Sequence, residues 1–220
     1  MRRLSLSVLL ALLVLPATAQ AGFFPAEVID GPNSDLVSIS ALDIARDGQG
    51  GVVYLRRDGG VPHVFFSRFA DGTFQGPTRI DAGVPAEASD AVIGAADNNR
   101  LAAAWVANGT LFAAVKGKDA PGFSNPAPVA EGGVSNPSID VSINGATYLS
   151  WTQNGDIRIA RAERDNATFN VVPTALDVDV NQPAGTTEAT ASKVDVSADG
   201  TALVVWGERG SDTRNHLYGR

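Results

Sequence analysis

The sequence predicts an all-β protein, a β-propeller of about four blades with four antiparallel strands in each blade. Two observations lead to this fold class. A short segment recurs four times along the chain, and each copy is followed by strand-like runs separated by turn residues. The chain after residue 21 has no helical periodicity that would favour a different class.

Each copy of the recurring segment ends in an aromatic residue at the end of an apolar strand. These aromatic residues are Tyr54, Trp105, Trp151 and Trp206. An Asp or Asn lies seven residues before each of them, and an Asp lies eleven residues before three of them, with Gly94 as the exception. Successive aromatics are 51, 46 and 55 residues apart, which indicates one structural unit joined by loops of different length.

The unit itself consists of four predicted strands. Asp-Gly, Asn-Asn or Asn-Gly separates the first two, and these dipeptides favour two-residue hairpin turns of the primed types. A third strand follows the aromatic, as at 63–68, and a Pro-marked fourth strand follows that, as at 77–80. Four short strands in each repeat of about 50 residues are typical of a propeller blade. A pair of small β-sandwiches is the alternative.

The chain from 22 to 220 is expected to form a single domain. We place the blades at approximately 32–81, 82–130, 131–177 and 186–220. Residues 22–31 resemble a fourth strand, and we expect them to complete the last blade as a latch that closes the ring. A second interpretation is that the chain is part of a longer propeller.

Residues 1–21 have the pattern of a secretory signal peptide. Arg2 and Arg3 precede an apolar run from Leu4 to Leu15, and small residues up to Ala21 provide cleavage sites after Ala19 or Ala21. The run is too short to span a bilayer of about 30 Å. We therefore expect a secreted or periplasmic protein without a membrane span.

Composition restricts the partners of the mature chain. Loss of Arg2 and Arg3 with the leader changes the net charge from −7 to −9, and an acidic chain repels the phosphates of nucleic acids. The chain has no cysteine, so no disulfide contributes to its stability. The expectation is a soluble monomer that binds no nucleic acid.

The clearest copy of the repeat is VDVSADGTALVVW, residues 194–206. It resembles extracellular bacterial propeller repeats of the form V-x-V-D-x-x-G-x-A-x-V-x-W, distant relatives of the Asp-box repeats of sialidase-like propellers. The match to a true Asp box is poor, because Gly200 comes one residue early. The resemblance implies a propeller fold and is only weakly specific for function.

The repeated side chains have two interpretations each. Asp43, Asp140 and Asp195 could line a central channel, but a residue repeated in each blade more often accepts backbone hydrogen bonds within the blades. The four aromatics could stack on sugars, but their position at the end of an apolar strand favours packing between blades.

No catalytic residue can be assigned from the sequence. There is no thiol nucleophile, and the two histidines, His63 and His216, are too few to define a metal site or a hydrolase triad. We expect a non-catalytic binding or scaffolding module that needs no cofactor and binds a protein or a glycan at a propeller mouth. The alternative is a sialidase-like glycoside hydrolase or a fragment of a larger propeller enzyme.

One segment has the spacing of a calcium loop. Its candidate ligands are Asp177, Asp179, Asn181 and Glu188, the last at position 12 of the motif. The segment departs from the motif because Gln182 replaces the usual glycine and no helices flank it. The alternative is an acidic, solvated connection between two blades.

Overall fold

A computed structural model describes residues 26–177, 191–210 and 212–220 of the chain. Every regular element in these residues is a β-strand, so the predicted all-β class is confirmed. The strands form four antiparallel sheets, numbered 1 to 4 in chain order. The described residues include no helix long and apolar enough to span a membrane.

Within each sheet, strands that are adjacent in sequence are adjacent in space. Sheet 1 contains β1 (Leu36–Ile44), β2 (Gly50–Asp58), β3 (Val61–Ala70), β4 (Thr73–Phe74) and β5 (Thr78–Arg79). Sheet 2 contains β6 (Ala88–Ala96), β7 (Arg100–Ala107), β8 (Thr110–Lys116) and β9 (Ala127–Glu131). Sheet 3 contains β10 (Val134–Val141), β11 (Thr147–Gln153), β12 (Asp156–Ala162) and β13 (Phe169–Val171). Sheet 4 contains β14 (Lys193–Val196), β15 (Ala202–Arg209) and β16 (Asn215–Gly219).

The predicted four-stranded antiparallel unit is present in sheets 2 and 3. In sheet 1 the fourth position is shared by β4 and β5, which both pair with β3. The inner strands β1, β6, β10 and β14 lie beside one another in that order, and residues from all four line the same two axial cavities. The sheets are therefore arranged around a common axis.

The turns between the first two strands differ from the prediction in three of the four sheets. Only Asn98 and Asn99 both have positive φ, at 66° and 61°, as a two-residue primed turn requires. In the other three sheets only the glycine has positive φ, and its N–H donates to the residue three positions earlier, as Gly200 does to Ser197. The preceding Asx side chain accepts a backbone N–H instead, as Asp199 does from Thr201 at 2.9 Å.

The three tryptophans of the repeat pack between sheets, as the sequence predicts. Trp105 and Trp151 are fully buried, and Trp206 is 2% exposed. Each belongs to the apolar cluster formed with the preceding sheet. Because these rings are enclosed, they cannot serve as sugar-stacking platforms. Their burial fixes the spacing of the sheets around the axis.

Sheets 1 and 4 each have one exposed face, because no neighbouring sheet packs against it among the described residues. The equivalent faces of the other sheets are buried. In each sheet one apolar residue is paired with the residue that follows the aromatic: Val64, Leu111, Ile157 and Leu217. Leu217 in sheet 4 is 78% exposed, whereas the other three are 0% exposed. A second apolar residue in each sheet is paired with the residue two positions before the aromatic: Leu42, Ile93, Ile139 and Val194. Leu42 in sheet 1 is 69% exposed, whereas the other three are 6–7% exposed. In the described residues, sheets 1 and 2, sheets 2 and 3, and sheets 3 and 4 thus pack against each other. The facing surfaces of sheets 4 and 1 stay exposed.

The predicted latch, residues 22–31, is described only from residue 26. Residues 26–31 form no strand and lie against sheet 1 rather than sheet 4. Asp30 accepts hydrogen bonds from the Tyr54 hydroxyl at 2.7 Å and from Arg56 at 2.8 Å, and Ile29 packs on the same face. These polar bonds hold the segment on the first sheet. Residues 22–25 and the signal peptide lie outside the described residues, so ring closure by the latch stays a prediction.

Candidate functional site

The axis opens at two mouths. The strand-start mouth lies where the inner strands begin and is a cavity of about 450 Å³ that includes Ser38, Ser89, Asp90, Asn136 and Lys193 in its lining. The turn mouth lies at the other end of the inner strands and is a cavity of about 270 Å³ that includes Asp43, Arg46, Asp97, Asp140 and Asp195. The strand-start mouth is the candidate binding site, and the turn mouth contains the repeated carboxylates.

β-Bulges shape the strand-start mouth. The register of β6 shifts between Ser89 and Val92, and that of β10 shifts between Ser135 and Ser138. At each bulge an exposed Asx residue has a left-handed backbone, with φ of 50° at Asp90 and 49° at Asn136. Bulges redirect side chains, and residues held in sparsely populated conformations concentrate at binding sites.

A serine precedes the left-handed residue in both bulges and contacts it. The Ser89 hydroxyl donates to the Asp90 carboxylate at 3.2 Å, and the Asn136 amide donates to the Ser135 hydroxyl at 3.2 Å. Both residues line the cavity, and these local bonds leave further donors and acceptors on the carboxylate and the amide. The mouth therefore presents polar groups that can bind a hydroxyl-rich ligand.

Sequence reasoning missed this site, although a signal was present. A hydroxyl residue lies sixteen residues before the aromatic in each of the four copies: Ser38, Ser89, Ser135 and Thr190. The first three are described, and Thr190 is not. The pattern escapes a search for alternating strands because the bulges break the alternation of side chains between Ser89 and the aromatic.

At the turn mouth the repeated aspartates join neighbouring sheets. The Asp43 carboxylate accepts the N–H of Ala95 in sheet 2 at 2.7 Å, and the Asp140 carboxylate accepts the N–H of Val196 in sheet 4 at 2.7 Å. The second oxygen of Asp43 accepts the N–H of Ile44 at 2.8 Å. The structural interpretation is therefore correct for Asp43 and Asp140, since each accepts a backbone N–H from the inner strand of the next sheet.

The exception at Gly94 has a steric cause. A Cβ at this position would lie 3.0 Å from the Cα of Asp140 and 3.2 Å from the carbonyl oxygen of Ile139. Both contacts are with backbone atoms, which cannot rotate away. Sheets 2 and 3 approach so closely at this point that a side chain would have to displace the Asp140 backbone by a few tenths of an ångström, which disfavours the aspartate that the other copies have.

Two of the aspartates form a carboxyl pair. The carboxyl group of Asp195 lies close enough to Asp140 to influence its ionisation. Burial, followed by the repulsion of Asp195, raises the pKa of Asp140 to about 6, although the N–H donors of Val196 and Val141 act in the opposite direction. On the same rim, the carboxylate of Asp97 forms an ion pair with Arg46. The pair can hold a proton over a mildly acidic pH range.

The predicted calcium loop falls mostly outside the described residues. Of its four candidate ligands only Asp177 is described; Asp179, Asn181 and Glu188 are not. Asp177 is 6% exposed, and one of its oxygens accepts the N–H of Ile157 at 3.1 Å. Burial raises the pKa of Asp177. The calcium loop stays a prediction, and the described part of the chain contains no group of three or more residues arranged to hold a metal ion.

Each of the two histidines is paired with an acid of its own sheet. The Nδ1 atom of His63 lies 2.8 Å from Asp81 and 2.9 Å from Arg79, in a buried cluster. The Nε2 atom of His216 lies 2.9 Å from the carboxylate of Asp212 at the exposed end of sheet 4. The two contacts lie in different sheets, the first and the last, so the histidines do not form a common site.

Comparisons with known proteins show the fold alone. No family model matches the chain, and neither does any curated protein. The chain is similar to the BP39L lectin from Burkholderia pseudomallei (17% identity, TM-score 0.51) and to a protein of unknown function from Dyadobacter fermentans (14% identity, TM-score 0.52). Each match covers 82% of this chain and 51% of the other. The fold is a β-propeller.

The similarity extends to a microbial sialidase, Hz136, at 13% identity and a TM-score of 0.49, over 82% of this chain and 43% of the sialidase. The chain thus spans about half the length of several of the solved proteins that it resembles. The resemblance to propeller repeat proteins that the sequence indicated is confirmed at the level of the fold.

Proposed function

We propose that the chain is a non-catalytic β-propeller module that binds a glycan at the strand-start mouth. The observation that carries the proposal is the pair of bulges that place Asp90 and Asn136, in left-handed conformations, at a cavity of about 450 Å³. Sugar hydroxyls both donate and accept hydrogen bonds, and a carboxylate beside an amide satisfies both roles.

Further groups of the mouth suit the same ligand. Ser38 and Lys193 add a hydroxyl and an ammonium group, and Ile39 and Pro137 add apolar surface against which the C–H face of a sugar can pack. One protein of the same fold is a lectin. The proposal extends that activity to this chain on the chemistry of its own mouth.

The test is titration calorimetry of the purified chain against the oligosaccharides that it retains on a glycan array. Asn136→Gly and Asp90→Gly remove the polar groups and keep a residue that tolerates positive φ. Both variants should lose binding without a fall in melting temperature. Asp71→Gly is the matched control, since Asp71 has a φ of 53° in the turn between β3 and β4. Unchanged binding by the two mouth variants, or an array without any ligand, would contradict the proposal.

Glycoside hydrolysis is the second candidate function, and the carboxyl pair at the turn mouth favours it. Two carboxyl groups acting together are the usual machinery of this reaction. Both oxygens of Asp140 already accept backbone N–H groups, at 2.7 Å each, which supports the structural role instead. Product analysis between pH 4 and 8 decides: hydrolysis that disappears in Asp195→Asn would establish the enzyme.

We also propose that the chain is exported after cleavage of residues 1–21. The predicted leader supports this location. N-terminal sequencing of the protein recovered from the periplasm or the culture medium should give a first residue of Gln20 or Gly22, following Ala19 or Ala21. Recovery of an intact N-terminus from the cytosol would contradict export.

A further inference from the structure

A cleft between sheets 1 and 2 is lined by Arg68 and Lys116, and no carboxylate-bearing residue is among its described lining residues. The cleft has a volume of about 270 Å³ and lies between β3 and the segment that leads from β8 to β9. Arg68 lines it from sheet 1 and Lys116 from sheet 2, and the rings of Phe66 and Phe123 meet in it edge to face, with centroids 5.1 Å apart. None of these residues belongs to either axial mouth.

Lys116 is buried with most of its hydrogen-bonding capacity unused. Lys116 is 4% exposed, and its ammonium group donates to the carbonyl oxygen of Asn99 at 3.1 Å. An ammonium group has three donors. Burial, followed by the nearby charge of Arg68, lowers the pKa of Lys116, and the charges of Asp119 and Asp165 oppose this lowering without cancelling it.

Arg68 is similarly under-compensated. One of its terminal nitrogens donates to the side-chain oxygen of Gln49 at 2.7 Å, a neutral partner. Its Nε is buried and has no acceptor among the described residues. Burying a cationic group without a counter-charge is unfavourable, and a second cation in the same cleft increases the cost.

Nearby arginines show the contrast. The Nε of Arg79, which also lines the cleft, lies 2.7 Å from the Asp81 carboxylate, and the Nε of Arg100 lies 2.9 Å from the Asp165 carboxylate. No carboxylate-bearing residue lines the cleft itself among the described residues. The half-buried Arg79 and the buried Arg100 are thus paired with carboxylates, whereas Arg68 and Lys116 have none beside them in the described lining of the cleft.

We propose that the cleft between sheets 1 and 2 binds a small oxyanion, namely a sulfate, phosphate or carboxylate group, between Arg68 and Lys116. A guanidinium and an ammonium group are the side chains that bind such oxygens most strongly. The bound anion neutralises both charges at once. The aromatic pair beside them gives an apolar wall for whatever carries the anionic group.

The experiment measures binding of inorganic sulfate and phosphate by calorimetry and by melting temperature, with sodium chloride keeping the ionic strength constant. Sulfate stabilises folded proteins generally through exclusion from their surfaces, so the comparison among variants is the readout. The variants are Arg68→Gln and Lys116→Met. Arg57→Gln is the control, since Arg57 is an exposed cation of β2 outside the cleft.

The wild type and Arg57→Gln should show saturable binding and the same rise in melting temperature. Arg68→Gln should bind at least about tenfold more weakly. Lys116→Met should melt at a higher temperature than the wild type in chloride, because a buried charge is gone. In sulfate its melting temperature should rise only by the amount that general exclusion of sulfate from protein surfaces produces. Equal responses of wild type and both cleft variants, or no saturable binding by the wild type at about 10 mM anion, would overturn the proposal.

A further arm identifies the source of the anion. A uronic-acid disaccharide is compared with its neutral counterpart and with the inorganic anions. Tighter binding of the uronic acid that depends on Arg68 assigns the cleft to an acidic glycan, and binding of the inorganic anions alone assigns it to the free ion. Neither outcome depends on the strand-start mouth, because Asn136→Gly should leave binding at the cleft unchanged.

Discussion

The carboxyl pair at the turn mouth predicts an unusual dependence of stability on pH. The pKa of Asp140 is about 6 in the folded chain, against 3.8 for an ordinary aspartate. The folded state therefore retains a proton between pH 4 and 6 that the unfolded state releases. The contribution of this group to stability is greatest in acid and is lost as the pH rises through about 6.

The magnitude follows from the size of the shift. A difference of about 2 in the pKa of Asp140 between the folded and unfolded chain corresponds to about 3 kcal/mol, since each pKa unit is about 1.4 kcal/mol. Asp140 is only half-buried, so solvent screening reduces the expected change to about 1–2 kcal/mol. Asp140→Asn removes the titration. It also costs roughly 1 kcal/mol at all pH values, because the amide oxygen cannot accept both N–H groups as the carboxylate does.

The assay is urea unfolding followed by tryptophan fluorescence at intervals from pH 4 to 8. The unfolding free energy of the wild type minus that of Asp140→Asn should fall by about 1–2 kcal/mol from pH 4 to about pH 7, reaching zero or changing sign, and should be constant above about pH 7. Asp199→Asn is the control: hydrogen bonds from Ser197 and Thr201 lower the pKa of Asp199, so it titrates below this range and the difference between this variant and the wild type should stay constant from pH 4 to 8. A wild-type–variant difference that does not change with pH would refute the reasoning.

Four further substitutions test the packing and the hydrogen bonds between sheets, each by chemical denaturation. Ile157→Ala should cost about 2–4 kcal/mol, whereas Leu217→Ala at the equivalent position of sheet 4 should cost less than about 0.5 kcal/mol, because Leu217 is exposed. A large loss at Leu217 would mean that another surface covers it. Gly94→Ala should destabilise by about 1–3 kcal/mol through its contact with the Asp140 backbone, and wild-type stability would contradict the close approach. Asp43→Ala should cost about 1–2 kcal/mol by leaving the Ala95 N–H unpaired, and a cost near zero would remove its bridging role.

The sheets could be predicted because their determinants are local. The strand, the turn and the aromatic of each copy lie within about a dozen residues, and alternation with turn residues identifies them. Even so, the turn type was wrong in three sheets. The glycine alone takes the left-handed conformation there, and the Asx side chain bonds to the backbone instead, as Asp199 does with Thr201.

The candidate site could not be predicted because its residues come together only through the packing of sheets. Asp43 bonds to a backbone group 52 residues away, and Arg68 meets Lys116 across an interface between two sheets. The bulges that expose Asp90 and Asn136 are departures from strand periodicity, so they weaken the pattern by which strands are recognised.

A crystal structure of the chain with the oligosaccharide selected on the array tests the glycan site most directly. We expect an intact sugar in the strand-start mouth, within hydrogen-bonding distance of Asp90 and Asn136. A sugar bound beside Asp140 and Asp195 at the turn mouth, or a cleaved glycosidic bond, would contradict it.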